Sequence, residues 1–415
     1  MLTSADIEYI IANEGADVTK LLLGGKGKNG DINYPLCAKC IQAREKMKVK
    51  APLWYSNPSL AYPFAVSVEQ GSSQATALFK QKCIAALLGN GEIITADLTG
   101  GMGIDSWFIS RISSRHYYFE RNTELCQATE YNFRQLGTDN IIVSNRDVAQ
   151  ENCAAIKELK EKNISLIYID PARRTQTGGK AIMLQDYEPN IIELQGLLFE
   201  ASRYILAKVS PMADIKQNLQ LLPKTSAVYI VAANNECKEL LFLMDRQHNG
   251  EEPLIHCCNI ENIQEGEKEL LHNSSITLKI SQEEQAQPQY TSTTGKYLYE
   301  PCKAVLKGGG YKLLSQRYNC GKLAPSTHLY TSDELVENFP GKTFLVEETV
   351  PFNKKALKEL ASRFPNADIT ARNFPMDTNA LKKLSGIKDG GTRHIFAVTL
   401  TNGQKVIIIT LPIRK

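Results

Sequence analysis

Residues 93–105 read Ile-Ile-Thr-Ala-Asp-Leu-Thr-Gly-Gly-Met-Gly-Ile-Asp, and the fold turns on how this stretch is read. An apolar run enters through Ile93, Ile94 and Ala96, and a corner follows with Gly100, Gly101 and Gly103. An apolar-periodic segment leaves through Trp107, Phe108 and Ile109. The pattern predicts a buried parallel strand, a tight loop and a helix N-terminus. Glycine at the corner admits positive φ and close approach of a ligand to backbone. The helix start presents free N–H groups to a polar or anionic ligand. A purely structural βα corner fits the same residues, so the flanking chain has to decide.

Strand-like runs recur at Tyr117–Phe119, Ile141–Val143 and Leu166–Ile169. Acids stand at or just past their ends: Glu120, Asp147 and Asp170, in series with Asp97. Open α/β sheets bind ligands beyond the carboxyl ends of their strands, so four acids would line one crevice. This arrangement resembles the class I S-adenosylmethionine (SAM)-dependent methyltransferases. The resemblance implies an α/β, Rossmann-like class I methyltransferase sheet, with SAM as cofactor. Asp97, Gly101 and Gly103 match the first motif, with Thr99 where a first glycine is common. Glu120 matches the acid that holds both ribose hydroxyls, and Asp147 the contact to the adenine amino group. Asp170-Pro171-Ala172-Arg173 falls on the catalytic fourth motif, where amino-methyltransferases carry Asp or Asn, two prolines and an aromatic. Ala172 and Arg173 depart from that pattern. The resemblance therefore implies catalytic roles for Asp170 and the carbonyl of Pro171, with the planar guanidinium of Arg173 in place of the aromatic stacking platform.

Nicotinamide-binding folds want G-x-G-x-x-G/A. Here Gly101-Met-Gly103-Ile-Asp-Ser106 ends in Ser, which disfavours an oxidoreductase. From 91 to about 260 the pattern alternates β and α. Helices are expected at 103–112, 122–136, 148–162, 189–202 and 212–222. Strands are expected at 92–97, 116–120, 140–144, 164–170, 204–209, 225–233 and 238–244, the last pair forming an antiparallel hairpin. The polar segment after Asp170 holds Arg173, Arg174 and Lys180, suited to a substrate phosphate or carboxylate, or to a basic surface loop.

The chain has 415 residues and a net charge of +3, so composition alone does not call for nucleic acid. No apolar run approaches a membrane span. The N-terminus lacks the basic-then-apolar pattern of a signal peptide. The 10 cysteines, scattered over a long chain, read as reduced thiols of a cytoplasmic protein. Cys37-Ala-Lys-Cys40 is a lone CxxC with no second pair, and no spacing points to a metal. Residues 1–90 are expected to be mainly helical, with Ser4 capping the first helix. Lys20–Lys50 carries a local net charge of +6, either a solvated helical face or a landing surface for phosphates. Glu69–Lys80 resembles a stretch preceding the first motif in some bacterial RNA methyltransferases and would cover the cofactor. A helix N-terminus capped by Ser72 or Ser73 fits it as well.

Residues 251–300 turn acidic, with a net charge of −6. A boundary near 273 is expected, with a small module after it, and the layout as a whole resembles bacterial methyltransferases with a small ferredoxin-like module and a C-terminal THUMP-like domain. The resemblance implies four domains: 1–90 helical, 91–273 methyltransferase, 274–319 ferredoxin-like and 320–415 THUMP-like α+β. A strand is expected at Ser275–Ile280, a helix at Tyr299–Leu306 and a flexible break at Gly308–Gly310. The last segment, with a net charge of +5 from Cys320 on, is expected to hold strands at Thr343–Val346 and Ile369–Ala371. Its helices are expected at Lys354–Arg363 and from Asp377 to Leu384, and a hairpin turns at Asn402-Gly403. Lys382, Lys383 and Lys388 flank Asp389-Gly390-Gly391, a backbone suited either to a sugar-phosphate chain or to a tight turn. The small modules resemble those of RNA-modifying enzymes. The function so implied is SAM-dependent methylation of a base nitrogen in tRNA or rRNA, with no membrane partner; nothing in the sequence specifies an oligomer. A methyltransferase for protein or small molecules also fits, as does a non-catalytic RNA-binding protein that keeps the SAM fold. The intact Asp97, Glu120 and Asp170 speak against the last.

Overall fold

The computed structural model describes residues 1–24, 31–149, 154–173, 183–260 and 276–413. The chain divides into two compact units: Met1–Val228 with Glu239–Glu251 in one, and Tyr229–Lys238, Glu252–Asn259 and residues from 271 onward in the other.

In the first unit, helices come first: Ser4–Ala12, Val18–Gly24, Tyr34–Lys50, Pro52–Tyr55, Ala65–Gln70 and Gln74–Leu88. Thr3, not Ser4, caps the first. Its hydroxyl accepts from Asp6 N–H while the Asp6 carboxylate accepts from Thr3 N–H, a reciprocal capping box. The helices close over an apolar cluster of Ile10, Cys37, Cys40, Met47, Trp54 and Tyr62, continuous with Phe108. The CxxC is part of this core. Burial pushes the Cys37 thiol up to about 12 and the Cys40 thiol up to about 11, so both stay protonated.

The strands that follow are β1 (Ile94–Asp97), β2 (Arg115–Phe119), β3 (Ile141–Ser144), β4 (Ile164–Ile169), a two-residue pair β5 (Ala172–Arg173) and β6 (Tyr187–Glu188), β7 (Ser202–Val209), β8 (Thr225–Ala233) and β9 (Glu236–Asp245), of which β8 ends and β9 begins in the second unit. Their order is β3-β2-β1-β4-β7-β9-β8. The first five run parallel, and β9 returns antiparallel to β7. This is the expected doubly wound sheet with its closing hairpin. Crossover helices Ile104–Ser110, Thr123–Gln135 and Ile191–Ala201 lie within a few residues of expectation. Of the helix expected at 148–162, Ala154–Leu159 is helical and 148–149 are not, while 150–153 lie outside the described residues. Strands β1, β4 and β7 are buried runs because both faces of a parallel sheet are covered.

The second unit holds β10 (Leu254–Asn259) and β11 (Ile276–Leu278), paired antiparallel. A second sheet takes β12 (Tyr297–Pro301), β13 (Gly321–Ala324), β14 (Thr327–Ser332), β15 (Gly341–Pro351), β16 (Asp368–Arg372), β17 (His394–Thr399) and β18 (Lys405–Ile413), in the order β13-β14-β12-β15-β18-β17-β16. Alternate residues of its central strands serve two cores. Phe396, Val398 and Ile408 face one, and Ile395, Ala397, Ile407 and Ile409 the other. Two expectations fail here. Tyr299 lies in a strand, because β12 pairs with both β14 and β15, and the helix begins only at Lys303. Gly308–Gly310 is a packed corner between helices Lys303–Gly308 and Tyr311–Arg317: a Cβ on Gly308 would lie 2.6 Å from Cys257 Sγ, and one on Gly310 2.8 Å from Leu278. Among the described residues no helix is long and apolar enough to cross a membrane.

Candidate active site

The site grows from the corner after β1. Asp97 is buried, with Oδ1 accepting from Thr99 N–H (2.9 Å) and Oδ2 from the Ser106 hydroxyl (2.6 Å). Burial pushes its carboxyl up to about 7. Thr99 in turn accepts from the backbone N–H of Asp170 at 2.6 Å, so the ends of β1 and β4 are tied through one hydroxyl. That bond gives Thr99 a function a glycine there would lack.

The corner is rigid for steric reasons. A Cβ on Gly100 would stand 2.0 Å from the Tyr118 ring, and Tyr118 is fully buried and donates to Gly101 C=O at 2.6 Å. Gly103, at φ +80°, caps the next helix against Thr129 and Phe133. Gly101 N–H donates to Glu120 Oε2 (3.0 Å), and Asn122 N–H donates to Oε1 (2.7 Å). Each oxygen of Glu120 is thereby oriented at the end of β2 while retaining acceptor capacity. Asn145 bonds the Glu120 carbonyl at 2.7 Å and ties in the end of β3. Asp147 lies two residues further on, its Oδ1 accepting from Ala149 N–H (2.9 Å).

Hydrogen bonds thus join Asp97, Thr99 and Asp170 in one set and Gly101 and Glu120 in another around one corner. The backbone of Arg173 pairs with Tyr187 in the β5–β6 ribbon, whose Glu188 forms an ion pair with Arg121 at 3.0 Å. The Arg173 side chain, Arg174 and Lys180 lie outside the described residues. In the second unit, Lys383 and Lys388 are exposed, whereas Lys382 is paired with Asp389. A Cβ on Gly391 would lie 2.4 Å from Asn366 C=O, so that glycine serves a tight turn.

Sequence reasoning missed a buried charge cluster behind Asp170. Lys80 is 0% exposed and donates to both oxygens of Glu239, at 2.7 and 2.9 Å. Its Nζ lies 3.2 Å from Asp105 Oδ1, and Asp105 Oδ2 accepts from Ser72 (2.7 Å) and Tyr168 (2.8 Å). Lys208, near the end of β7, donates to Asp170 Oδ2 at 2.7 Å and to Ser72 at 3.2 Å. Burial opposes its charge, but the carboxylates of Asp170, Glu239 and Asp105 outweigh burial and hold its pKa above the usual lysine range. Lys50 differs: burial, reinforced by Lys208, lowers it to about 8. The available signal was single charges inside apolar runs, Lys208 in Leu-Ala-Lys-Val and Glu239 before Leu-Leu-Phe. Glu69–Lys80, expected to cover the cofactor, contributes Ser72 and Lys80 to this cluster, while Ser73 caps the helix.

Comparison with known proteins bears on the family of the chain. Residues 297–340 match a family model described as a ferredoxin-like domain, and residues 341–412 one described as THUMP domain-like. A protein of Porphyromonas gingivalis W83 assigned as a methyltransferase superposes with a TM-score of 0.85 at 30% identity, covering 99% of this chain and 98% of that one. The chain belongs to that methyltransferase family. A human methyltransferase 10 domain containing protein (TM-score 0.37, 13% identity, 49% of this chain and 96% of that one) also matches. So does an rRNA methylase of Streptococcus thermophilus (TM-score 0.31, 13% identity, 41% and 97%). The family assignment rests on the first alone. No curated protein matches the chain.

Proposed function

We propose that the protein transfers a methyl group from SAM to a base nitrogen of tRNA or rRNA in the cytoplasm. The residues at the corner fit this cofactor. A glycine cradle that a Cβ would fill lies beside a carboxylate, Glu120, already oriented to accept from two hydroxyls. Asp147 would meet the adenine amino group. SAM supplies a methyl on a cationic sulfur that leaves as a neutral thioether.

The observation that carries the reading is Asp170. It ends β4, its backbone is fixed to the corner by Thr99, and its side chain is 35% exposed whereas Asp97, Asp105 and Glu239 are buried. An exocyclic amine is a poor nucleophile because its lone pair is delocalised into the ring. Asp170 and the carbonyl of Pro171 would accept its N–H bonds and localise that lone pair. The N–C bond forms as the S–C bond breaks, and the proton left on nitrogen passes through the carboxylate to water. Most of the acceleration would come from positioning. Arg173, Arg174 and Lys180 would hold the acceptor's planar base and phosphate. The THUMP-like match, with exposed Lys383 and Lys388, supports RNA over a protein or small molecule as acceptor.

Two variants test the reading. Glu120→Ala should lose about tenfold or more in SAM affinity, the worth of charge-assisted bonds to the ribose. Asp170→Ala should keep SAM affinity within a few-fold while single-turnover transfer to bulk RNA falls by about 10²–10⁴. A folded Asp170→Ala protein that methylates RNA at the parent rate removes Asp170 from the mechanism.

A further inference from the structure

Asp170 does not stand alone. Its Oδ2 is taken by the ammonium of Lys208 at 2.7 Å, and among the described residues its Oδ1 accepts no hydrogen bond. Lys208 is itself held from behind. Ser72 Oγ lies 3.2 Å from its Nζ, and Glu239 Oε2 lies 3.9 Å away, already fixed by buried Lys80. The lysine side chain is 14% exposed and that of Asp170 35%, so the pair sits at the rim of the core. A freely rotating carboxylate would offer either oxygen in many directions. This one offers a single oxygen in one direction.

Resting on the reading of Asp170 given above, we infer that Lys208 is a positioning residue for methyl transfer: it clamps Oδ2 of Asp170 so that Oδ1 is presented to the acceptor nitrogen. The clamp makes Asp170→Asn a severe change. An amide beside Lys208 must turn its carbonyl oxygen to the ammonium, because two donors cannot face each other. Its NH₂ then points at the acceptor's own N–H, where an acceptor is required. Removing Lys208 frees the amide to rotate and present its carbonyl to the substrate. The same lysine should thus help the parent enzyme and harm the Asp170→Asn enzyme.

The test measures single-turnover transfer from radiolabelled SAM to bulk RNA, together with calorimetric SAM binding. The proteins are the full-length parent, Lys208→Met, Lys208→Arg, Asp170→Asn and the double variant Asp170→Asn/Lys208→Met. Lys208→Met should slow transfer by about 10–10², the usual cost of a displaced catalytic group, with SAM affinity within about threefold. Lys208→Arg should recover most of that loss, since it restores a donor to Oδ2. The double variant should be several-fold faster than Asp170→Asn. If Lys208→Met does not fold, Lys208→Gln takes its place in both backgrounds. A double variant slower than Asp170→Asn by the factor seen in the parent background overturns the inference. So does a SAM affinity that collapses with Lys208, which would make it a cofactor ligand. Parent-rate transfer by Asp170→Ala refutes the reading of Asp170 itself, whereas parent-rate transfer by Asp170→Asn, or an unimpaired Lys208→Met beside an impaired Asp170→Ala, refutes the clamp alone.

Discussion

Replacing Lys80 by Met removes the ammonium from the centre of the buried cluster and leaves a side chain of similar length. Lys80 is fully buried and lies within 3.2 Å of three carboxylate oxygens on Glu239 and Asp105. Breaking a buried ion pair by removing one partner typically costs about 3–5 kcal/mol, because the remaining charge has lost both water and partner. Asp105 keeps its bonds from Ser72 and Tyr168 and Lys208 stays 3.9 Å from Glu239, which places the expectation in the lower half of that range. Proton uptake by Glu239 offers relief. Burial already holds its pKa above the usual carboxylate range even with Lys80 present, and loss of Lys80 raises it further. A carboxyl whose folded pKa exceeds its unfolded value favours the folded state at low pH, and that advantage fades as pH rises through the folded pKa. The destabilisation should therefore be smaller at pH 5 than at pH 8, and adding Glu239→Gln should recover part of it at pH 8. Both tryptophans of the chain, Trp54 and Trp107, lie in the first unit with ring centroids 6.3 Å apart, so denaturant unfolding followed by tryptophan fluorescence reports that unit. A loss below about 1 kcal/mol, the usual worth of a solvated surface pair, would refute the reasoning. So would a loss that does not shrink on acidification.

Gly100→Ala should destabilise the first unit by about 1–3 kcal/mol through overpacking against Tyr118. It should weaken SAM binding in calorimetry, and parent-level affinity would show that the corner yields. Burial lifts Asp97 to about 7, so its contribution to stability should fall as pH rises from about 4 to 7. Asp97→Asn should flatten that part of the parent's stability–pH profile, and an unchanged profile would place the titration elsewhere. If the second unit holds RNA phosphates, neutralising Lys383 and Lys388 should reduce the salt slope of RNA binding by about 0.7–0.9 per charge. Lys382 should contribute less because Asp389 already pairs with it, and a slope that does not change leaves all three as a solvated face.

The sheet was legible because parallel strands buried on both faces read as short apolar runs, and because acids recur at their ends. Helix Lys354–Arg363 and the hairpin about Asn402-Gly403 were legible from strong local signals. Tyr299 was misread because its conformation is set by pairing to strands 30 and more residues away, which no local period reports. The charge cluster escaped for a related reason. Lys80 and Glu239 lie 159 positions apart, and Lys208 and Asp170 lie 38 apart. Each looks alone like an ordinary interruption of an apolar segment. A charge that cannot be left bare in a core implies a partner but does not name it.

The distribution of charge around the corner bears on rate as well as on binding. In transfer to a neutral amine, positive charge passes from the donor sulfur to the acceptor nitrogen. Anions gathered on the donor side would stabilise the ground state as much as the transition state and so would not accelerate the step. Among the buried acids near the corner such charge is muted. Asp97, under the corner, is pushed up to about 7 and carries only part of a charge at neutral pH. Asp105 and Glu239 share the ammonium of Lys80. Asp170 stays both accessible and fixed, and in the proposed reading it meets the nitrogen where positive charge develops. Lys208 tempers its field without filling its second oxygen. An orientation set in advance costs no reorganisation when that charge appears, and this is the form of electrostatic assistance that lowers a barrier.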